Sequence, residues 1–300
     1  MKTTAKRPYR SMALALLVAA LLGSAAVDAS AQQFGGARRV EVPMDYPFTA
    51  VGRWTFNAGG GRGTCTAFLV NNCTLVTASR CGQAKAARFQ FEASDGQRYP
   101  VRNVVYRESA AGKSREAAGE AMDTTDFEVA FGQIAAGPGQ PLPGEKYGRF
   151  GFDPADTVAA TAGFTPHCSY GFSMNKEGRN GRGTLDPDVY VWGSLRSIFP
   201  DRADGDESFL HMTNGVYGTS GSPIFRCTPA FDGNKFQGIE VGAPARLIGV
   251  FIRLSNDKDK LKFADRLRVP PDNMAWGVGG QQFYSGLADY VKEHPCEALR

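Results

Sequence analysis

Between Gly215 and Phe225 the chain reads Gly-Val-Tyr-Gly-Thr-Ser-Gly-Ser-Pro-Ile-Phe, with Ser220 set between glycines. Glycine lets a backbone turn sharply, so the amide N–H groups of this turn can be aimed at one point beside the serine hydroxyl. That is the geometry of a nucleophile with an oxyanion hole, and the chemistry it serves is acyl transfer. The plain alternative is a Gly/Ser turn leading into a strand. A serine hydroxyl is a weak nucleophile without a base. The chain has three scattered histidines, His167, His211 and His294. A lone histidine is more often structural than catalytic. His211, nine residues before Ser220, is the better placed candidate base, ahead of His167.

These residues need elements to hold them. From Tyr46 onward, short apolar-rich runs alternate with Gly, Asn and Asp: Thr49 to Phe56, Cys65 to Val70, Thr74 to Ala78, Ala87 to Phe91 and Tyr99 to Tyr106. Runs of this length and spacing predict an all-β sandwich or barrel. The pair flanking Asn71-Asn72 predicts a hairpin whose return brings Cys65 near Cys81. Glu108 to Ala121 breaks the pattern and reads as a surface helix or insertion. Asp126 then opens the alternating run Phe127 to Phe131, with Asp123 a weaker competitor for any acidic role. An aspartate before a strand is ordinarily a turn residue.

Further along, Gly137 to Pro143 reads as a linker, Thr157 to Phe164 as a strand, and Met174 to Asp188 as a long polar Gly-rich loop. Asp201, Asp204, Asp206 and Glu207 lack the spacing of a calcium loop, so a solvated acidic loop is the expectation. Ile248 to Ile252 is a β-rich run, and Phe283, Leu287, Tyr290 and Val291 recur at helical spacing.

At the other end, Lys2, Lys6, Arg7 and Arg10, an apolar run from Met12 to Leu22, and Ala29-Ser30-Ala31 have the order of a cleavable secretory signal ending at Ala31. The expected mature part is 32–300, or 269 residues once 31 are removed from 300, with 30 basic against 29 acidic residues. A charge near +1 gives no support for a nucleic-acid partner or an anionic membrane surface. Six cysteines, 65, 73, 81, 168, 227 and 296, all fall in that part with no Cys-x-x-Cys pair. In an exported chain this favours three disulfides over a metal site, although six cysteines permit fifteen pairings. Secretion or a periplasmic location is expected, with no metal and no cofactor.

The Gly218-Thr219-Ser220-Gly221-Ser222-Pro223 run resembles the Gly-Asp-Ser-Gly-Gly-Pro signature of chymotrypsin/trypsin-like serine proteases. Thr219 stands for the usual acidic residue and Ser222 for the usual glycine. The Cys65 to Cys81 stretch resembles the strand pair of the same family that ends in Thr-Ala-Ala-His-Cys, with Arg80 in place of the histidine. Arg80, Asp126 and Ser220 keep the family's base, acid and nucleophile order, with gaps of 46 and 94 residues.

The resemblance implies an all-β fold of two six-stranded antiparallel β-barrels and a C-terminal α-helix. The first barrel is expected over about 46–136, the second over about 144–281 and the helix over about 282–293, packed against the second barrel. It further implies Gly218 and Ser220 as the oxyanion hole, Asn214 at the floor of the specificity pocket, and Cys65–Cys81 as a disulfide, followed by Cys168–Cys227 and Cys73–Cys296. Thr219 cannot pair with a freed N-terminus, and a neutral Asn214 does not favour Lys or Arg. An arginine cannot serve as general base, because its guanidinium stays protonated and only donates. The expected function is therefore that of an exported, inactive or strongly impaired protease homologue that binds a peptide or protein ligand, with Arg80 salt-bridged to Asp126. An active endopeptidase using Ser220 with His211 as base is the alternative. The oligomeric state is not readable.

Overall fold

The computed structural model describes residues 39–58, 61–81, 88–108, 127–153, 166–174, 180–194, 208–212, 218–233, 235–254 and 274–296. The signal expected at 1–31, the strand expected at 157–164 and the acidic loop expected at 201–207 lie outside these residues.

Among the described residues fourteen strands form two closed antiparallel barrels and one hairpin. The first barrel contains β1 (Val51–Ala58), β2 (Gly61–Leu69), β3 (Thr74–Ala78), β4 (Phe89–Glu92), β5 (Arg98–Glu108) and β6 (Phe127–Ile134). Its order around the ring is β1-β2-β3-β6-β5-β4. The second contains β7 (Pro166–Met174), β8 (Asn180–Ser194), β9 (Ser208–Met212), β10 (Pro223–Arg226), β13 (Leu247–Leu254) and β14 (Met274–Val278). Its ring, β7-β8-β9-β14-β13-β10, repeats the first order strand for strand. The hairpin of β11 (Thr228–Asp232) and β12 (Lys235–Glu240) is an insertion between the fourth and fifth strands of that repeat.

The β2–β3 turn shows how sequence sets this geometry. Asn71 Oδ1 accepts from the N–H groups of Cys73 (2.8 Å) and Thr74 (2.6 Å), so one side chain satisfies two turn donors. Phe68 then pairs with Val76, and every residue of β3 is buried. Trp54, Leu69, Leu75, Phe91 and Ile134 fill the first barrel. A second cluster joins the barrels, with Phe68, Val76 and Phe131 from one and Tyr170, Phe225 and Val250 from the other. A fully buried Phe or Val contributes about 1.5–3 kcal/mol. The shared core thus opposes separation of the barrels.

A short helix α1 (Pro143–Tyr147) lies in the connection between barrels, and α2 (Gln281–Glu293) closes the chain. The sequence reading placed the terminal helix on the second barrel, whereas α2 spans both. Tyr284 donates to the Ile248 carbonyl on β13 at 2.6 Å, while Tyr290 donates to the Asn103 carbonyl on β5 at 2.7 Å and packs its ring at a tilt against Phe131. Beyond it, Gln133 on β6 donates to the His294 carbonyl at 2.8 Å.

Met174 to Asp188 also differs from its expected loop, since β8 begins at Asn180 and pairs antiparallel with β7. The glycines in it serve close packing. A Cβ on Gly183 would sit 1.9 Å from the Tyr170 hydroxyl, and one on Gly181 2.5 Å from Ser173 Oγ. The segment before β1 is docked as well. Val40 exchanges two 2.8 Å backbone bonds with Leu185, and Arg39 donates to the Thr184 side chain and carbonyl.

Three disulfides join all six cysteines: Cys65–Cys81, Cys73–Cys296 and Cys168–Cys227. The first ties β2 to the turn after β3, and the third anchors the β11–β12 hairpin to β7. Cys73–Cys296 fastens the C-terminal end to the first barrel.

Candidate active site

Ser220 lies on the turn that enters β10, and two glycines there have left-handed backbones, Gly218 at φ +92° and Gly221 at φ +87°. Such angles strain any residue with a Cβ. At Gly221 space forbids one too. A Cβ would stand 2.1 Å from the Thr66 carbonyl oxygen and 2.3 Å from Thr77 Oγ1. The nucleophile turn of the second barrel is therefore pressed onto β2 and β3 of the first.

Thr66 carries that contact. Its N–H donates to the Ser220 carbonyl at 2.9 Å, and its hydroxyl donates to the Gly218 carbonyl at 3.1 Å. The same hydroxyl accepts from the N–H of Phe172 on β7 at 3.0 Å, and Thr77 donates to the Thr66 carbonyl at 2.7 Å. Thr66 is fully buried. On the other side, Gly221 donates to the Phe251 carbonyl (2.7 Å) and Phe251 donates to the Ser222 carbonyl (2.9 Å), locking the turn to β13.

Ser222 illustrates a compensated exchange. Its hydroxyl donates to the Thr219 carbonyl at 2.6 Å, and it fills the space beside Gly171, where a Cβ would come within 1.9 Å of Ser222 Oγ. The side chain added at 222 needs the one missing at 171. Neither Thr66 nor this pair was singled out from sequence; a threonine next to a cysteine in an apolar strand was the only signal.

Arg80 sits in the 3-10 turn Ser79–Cys81 that follows β3, held on either side by the buried strand and the Cys65–Cys81 bond. Its side chain is exposed, and Nη2 donates to Ser220 Oγ. Ser220 itself is 3% exposed, so the guanidinium covers a buried hydroxyl. Structure therefore brings together Arg80, Ser220 and Gly218.

Ala78 on β3 pairs with Val129 on β6, so the start of β6 runs beside the Arg80 turn, but Asp126, Asp123 and Asn214 lie outside the described residues. The expected Arg80–Asp126 salt bridge involves Asp126 and so lies outside the described residues too. His211 is in β9, its backbone paired to Val191 and Ala275, with β14 and β13 between its strand and β10. His167 is buried on β7 between Val189 and Arg226. His294 stacks on Tyr290 at the end of α2. Burial pushes Tyr170 up to about 12 against the opposing pull of Arg53 and Arg39, and raises Tyr106 and Tyr290 as well. Among the described residues no three His, Cys, Asp or Glu side chains gather as a metal would require.

A second electrostatic tie crosses the barrel seam. Arg53 on β1 contacts Glu92 on β4 at 2.7 Å, donates to the Gly181 carbonyl on β8 at 2.7 Å, and lies 4.5 Å over the Phe172 ring. Arg98 reaches the same carboxylate at 2.9 Å. Burial raises the Glu92 carboxyl, but the bonds from Arg98 and Arg53 prevail and hold it below the ordinary range.

No protein-family model matches the chain, and no curated protein sequence is similar to it. Solved structures do match in three dimensions. The protease Anisep from Arthrobacter nicotinovorans superposes with a TM-score of 0.51 at 14% identity, covering 81% of this chain and 93% of its own. HL collagenase gives 0.54 at 11%, covering 82% and 94%. The scabies mite inactivated protease paralogue S-I1 gives 0.53 at 13%, covering 85% and 99%. At such identities the likeness concerns architecture: the chain has the two-barrel fold of the chymotrypsin/trypsin-like serine proteases.

Proposed function

We propose that this chain is an exported homologue of the trypsin-like serine proteases that binds a peptide or protein ligand and has lost, or nearly lost, hydrolysis. Residues 1–31 would be its signal segment and 32–300 its protease-like domain. The observation that carries the reading is the hydrogen bond from Arg80 Nη2 to Ser220 Oγ. In the Ser-His-Asp mechanism the group at the serine takes its proton and returns it to the leaving amine. A guanidinium can only donate, so it occupies the hydroxyl's lone pair and leaves the proton in place. Loss of the histidine in subtilisin costs about 10⁶ in turnover, leaving only what the oxyanion hole and binding supply. Three disulfides support an oxidising compartment, and among the described residues no helix is long and apolar enough to cross a membrane.

The retained Ser220 turn favours a second reading, an endopeptidase with a non-standard base such as His211. A fluorophosphonate probe separates the two. The proposal expects no labelling above that of Ser220→Ala, and stoichiometric labelling that Ser220→Ala abolishes would overturn it. Arg80→His is expected to gain labelling, because the turn that would present the nucleophile is built.

A further inference from the structure

We infer that residues 39–42 are a releasable latch on the second barrel: docked, they hold the strand wall behind the Ser220 turn, and one cut in the exposed stretch after them lets that wall loosen. The device is the same whether the site binds or cuts. Three features lead to it.

The first is where the latch sits. Among the described residues β9 pairs with β8 only at Tyr190, Val191, Gly193 and Ser194. At Leu185 the chain that flanks β8 is instead the latch, and Val40 exchanges two 2.8 Å backbone bonds with it in the antiparallel sense. In such a ladder both polar groups of one residue point to one side, so Leu185 turns its pair to Val40 and away from β7. The latch is thus the short strand that completes β8 where β9 stops. Val40 and Val42 also pack on the cluster shared by the two barrels.

The second feature is what Arg39 grips. Its Nε donates to Thr184 Oγ1 at 2.8 Å and its Nη2 to the Thr184 carbonyl at 2.7 Å, a two-pronged hold on one residue. Burial lowers the pKa of the guanidinium, and the charge of the fully buried Asp186 opposes that shift. Thr184 stands opposite Gly171 on β7, the glycine whose missing Cβ leaves room for Ser222. The next pair along is Gly183 with Phe172, whose N–H donates to Thr66. β7 is the one strand between β8 and β10. The grip of Arg39 on β8 therefore reaches the Ser220 turn through a single strand.

The third feature is how little ties the latch to the rest of the chain. Pro43, Met44 and Asp45, just after it, are exposed. All six cysteines lie at 65 or beyond, so no disulfide retains a piece cut off before that point. Hydrolysis of one peptide bond within 42–45 by an endopeptidase takes up one water, leaves a carboxylate and an amine, and frees the piece that carries Arg39. Its polar hold is then the Arg39 bonds, the Val40 pair and an exposed Glu41–Arg182 contact at 3.2 Å. Cutting the chain here removes a support and creates none.

The test compares the secreted chain, disulfides intact, with its Arg39→Met variant and with two shortened forms, lacking 32–38 or 32–41, by hydrogen exchange. The form lacking 32–41 stands for the cut product. Removal of 32–38 should change nothing. Removal of 32–41, and Arg39→Met, should speed exchange at Phe172 and Gly221 about 10- to 100-fold, the range of a hydrogen bond to a charged group, while β4 in the first barrel keeps its rate. A synthetic peptide of residues 38–44 should restore protection to the form lacking 32–41, and the same peptide with Arg39→Met should not. Unchanged exchange in the full-length Arg39→Met chain would overturn the inference, and this arm stands even where the shortened form fails to fold. Equal acceleration in both barrels would overturn it in favour of a general loss of stability. Rescue by the peptide lacking Arg39 would overturn it in favour of plain strand addition.

Discussion

Replacing Thr66 by valine removes one oxygen atom and almost no volume, which isolates the joint between the nucleophile turn and the two barrels. The hydroxyl makes two bonds, to the Gly218 carbonyl and from the Phe172 N–H. Gly218 is half-exposed, so its carbonyl can turn to water at little cost. Phe172 is 5% exposed, and its N–H would be left buried without the threonine oxygen. An orphaned buried donor costs about 1–3 kcal/mol, and the lost bond to Gly218 about 1 more. Together these give a destabilisation of about 2–4 kcal/mol. For a domain of this size that lowers Tm by roughly 5–15 °C. Thr66→Ser keeps both bonds and loses one methyl, so it should cost only about 1 kcal/mol. Thermal and denaturant unfolding under non-reducing conditions measure both variants. If valine proves as stable as serine, the bonds through Thr66 do not hold the turn, and the argument for a preformed site fails.

Gly221→Ala should be more severe than an ordinary loop substitution, by about 3 kcal/mol or more, because a left-handed backbone and contacts with the Thr66 carbonyl and Thr77 oppose it together; denaturant midpoints against Gly233→Ala, where no atom lies within 4 Å, measure the difference. Glu92 has a folded-state pKa below its unfolded value near 4.5, so its contribution is present above that pH and lost as pH falls through it toward the folded value. Glu92→Gln should therefore flatten the acid limb of a stability-against-pH curve, whereas an unchanged limb would contradict the ion cluster with Arg53 and Arg98. Removing Cys73 and Cys296 together opens a connection separated by 223 residues, for which chain entropy gives about 5 kcal/mol as an upper figure. Equilibrium unfolding of the double serine variant reads that loss, and no change would show that the denatured chain is equally restricted without the bond.

Strands were readable where side chains alternate against a core and a turn residue punctuates them. Cys65 to Val70, Asn71-Asn72 and Thr74 to Ala78 meet both conditions, and they became β2, an Asx-type turn and β3. Gly181 and Gly183 misled because glycine and polarity suggest a loop locally, whereas in the fold those glycines make room for Ser173 and Tyr170. Long-range pairing overrides local preference in strands. The β11–β12 hairpin was also missed; all of its residues are exposed or half-buried, and no continuous apolar face announces it. At the site, Ser220 and Arg80 were readable by their place in motifs. Thr66 was not, because its role depends on Gly218 and Phe172, which lie 152 and 106 residues away.

The bond between Cys73 and Cys296 decides what a single proteolytic cut can do to the molecule. Residue 73 lies at the start of the first barrel's third strand, and residue 296 lies past the end of α2. Any single backbone cut between them leaves both pieces on one covalent frame, including a cut in the exposed Gly137–Pro141 connection between barrels. Nicked chains would run as one species without reductant and as fragments with it. The joint that holds Arg80 over Ser220, made of contacts across the barrel seam, would survive the nick because neither barrel could diffuse away.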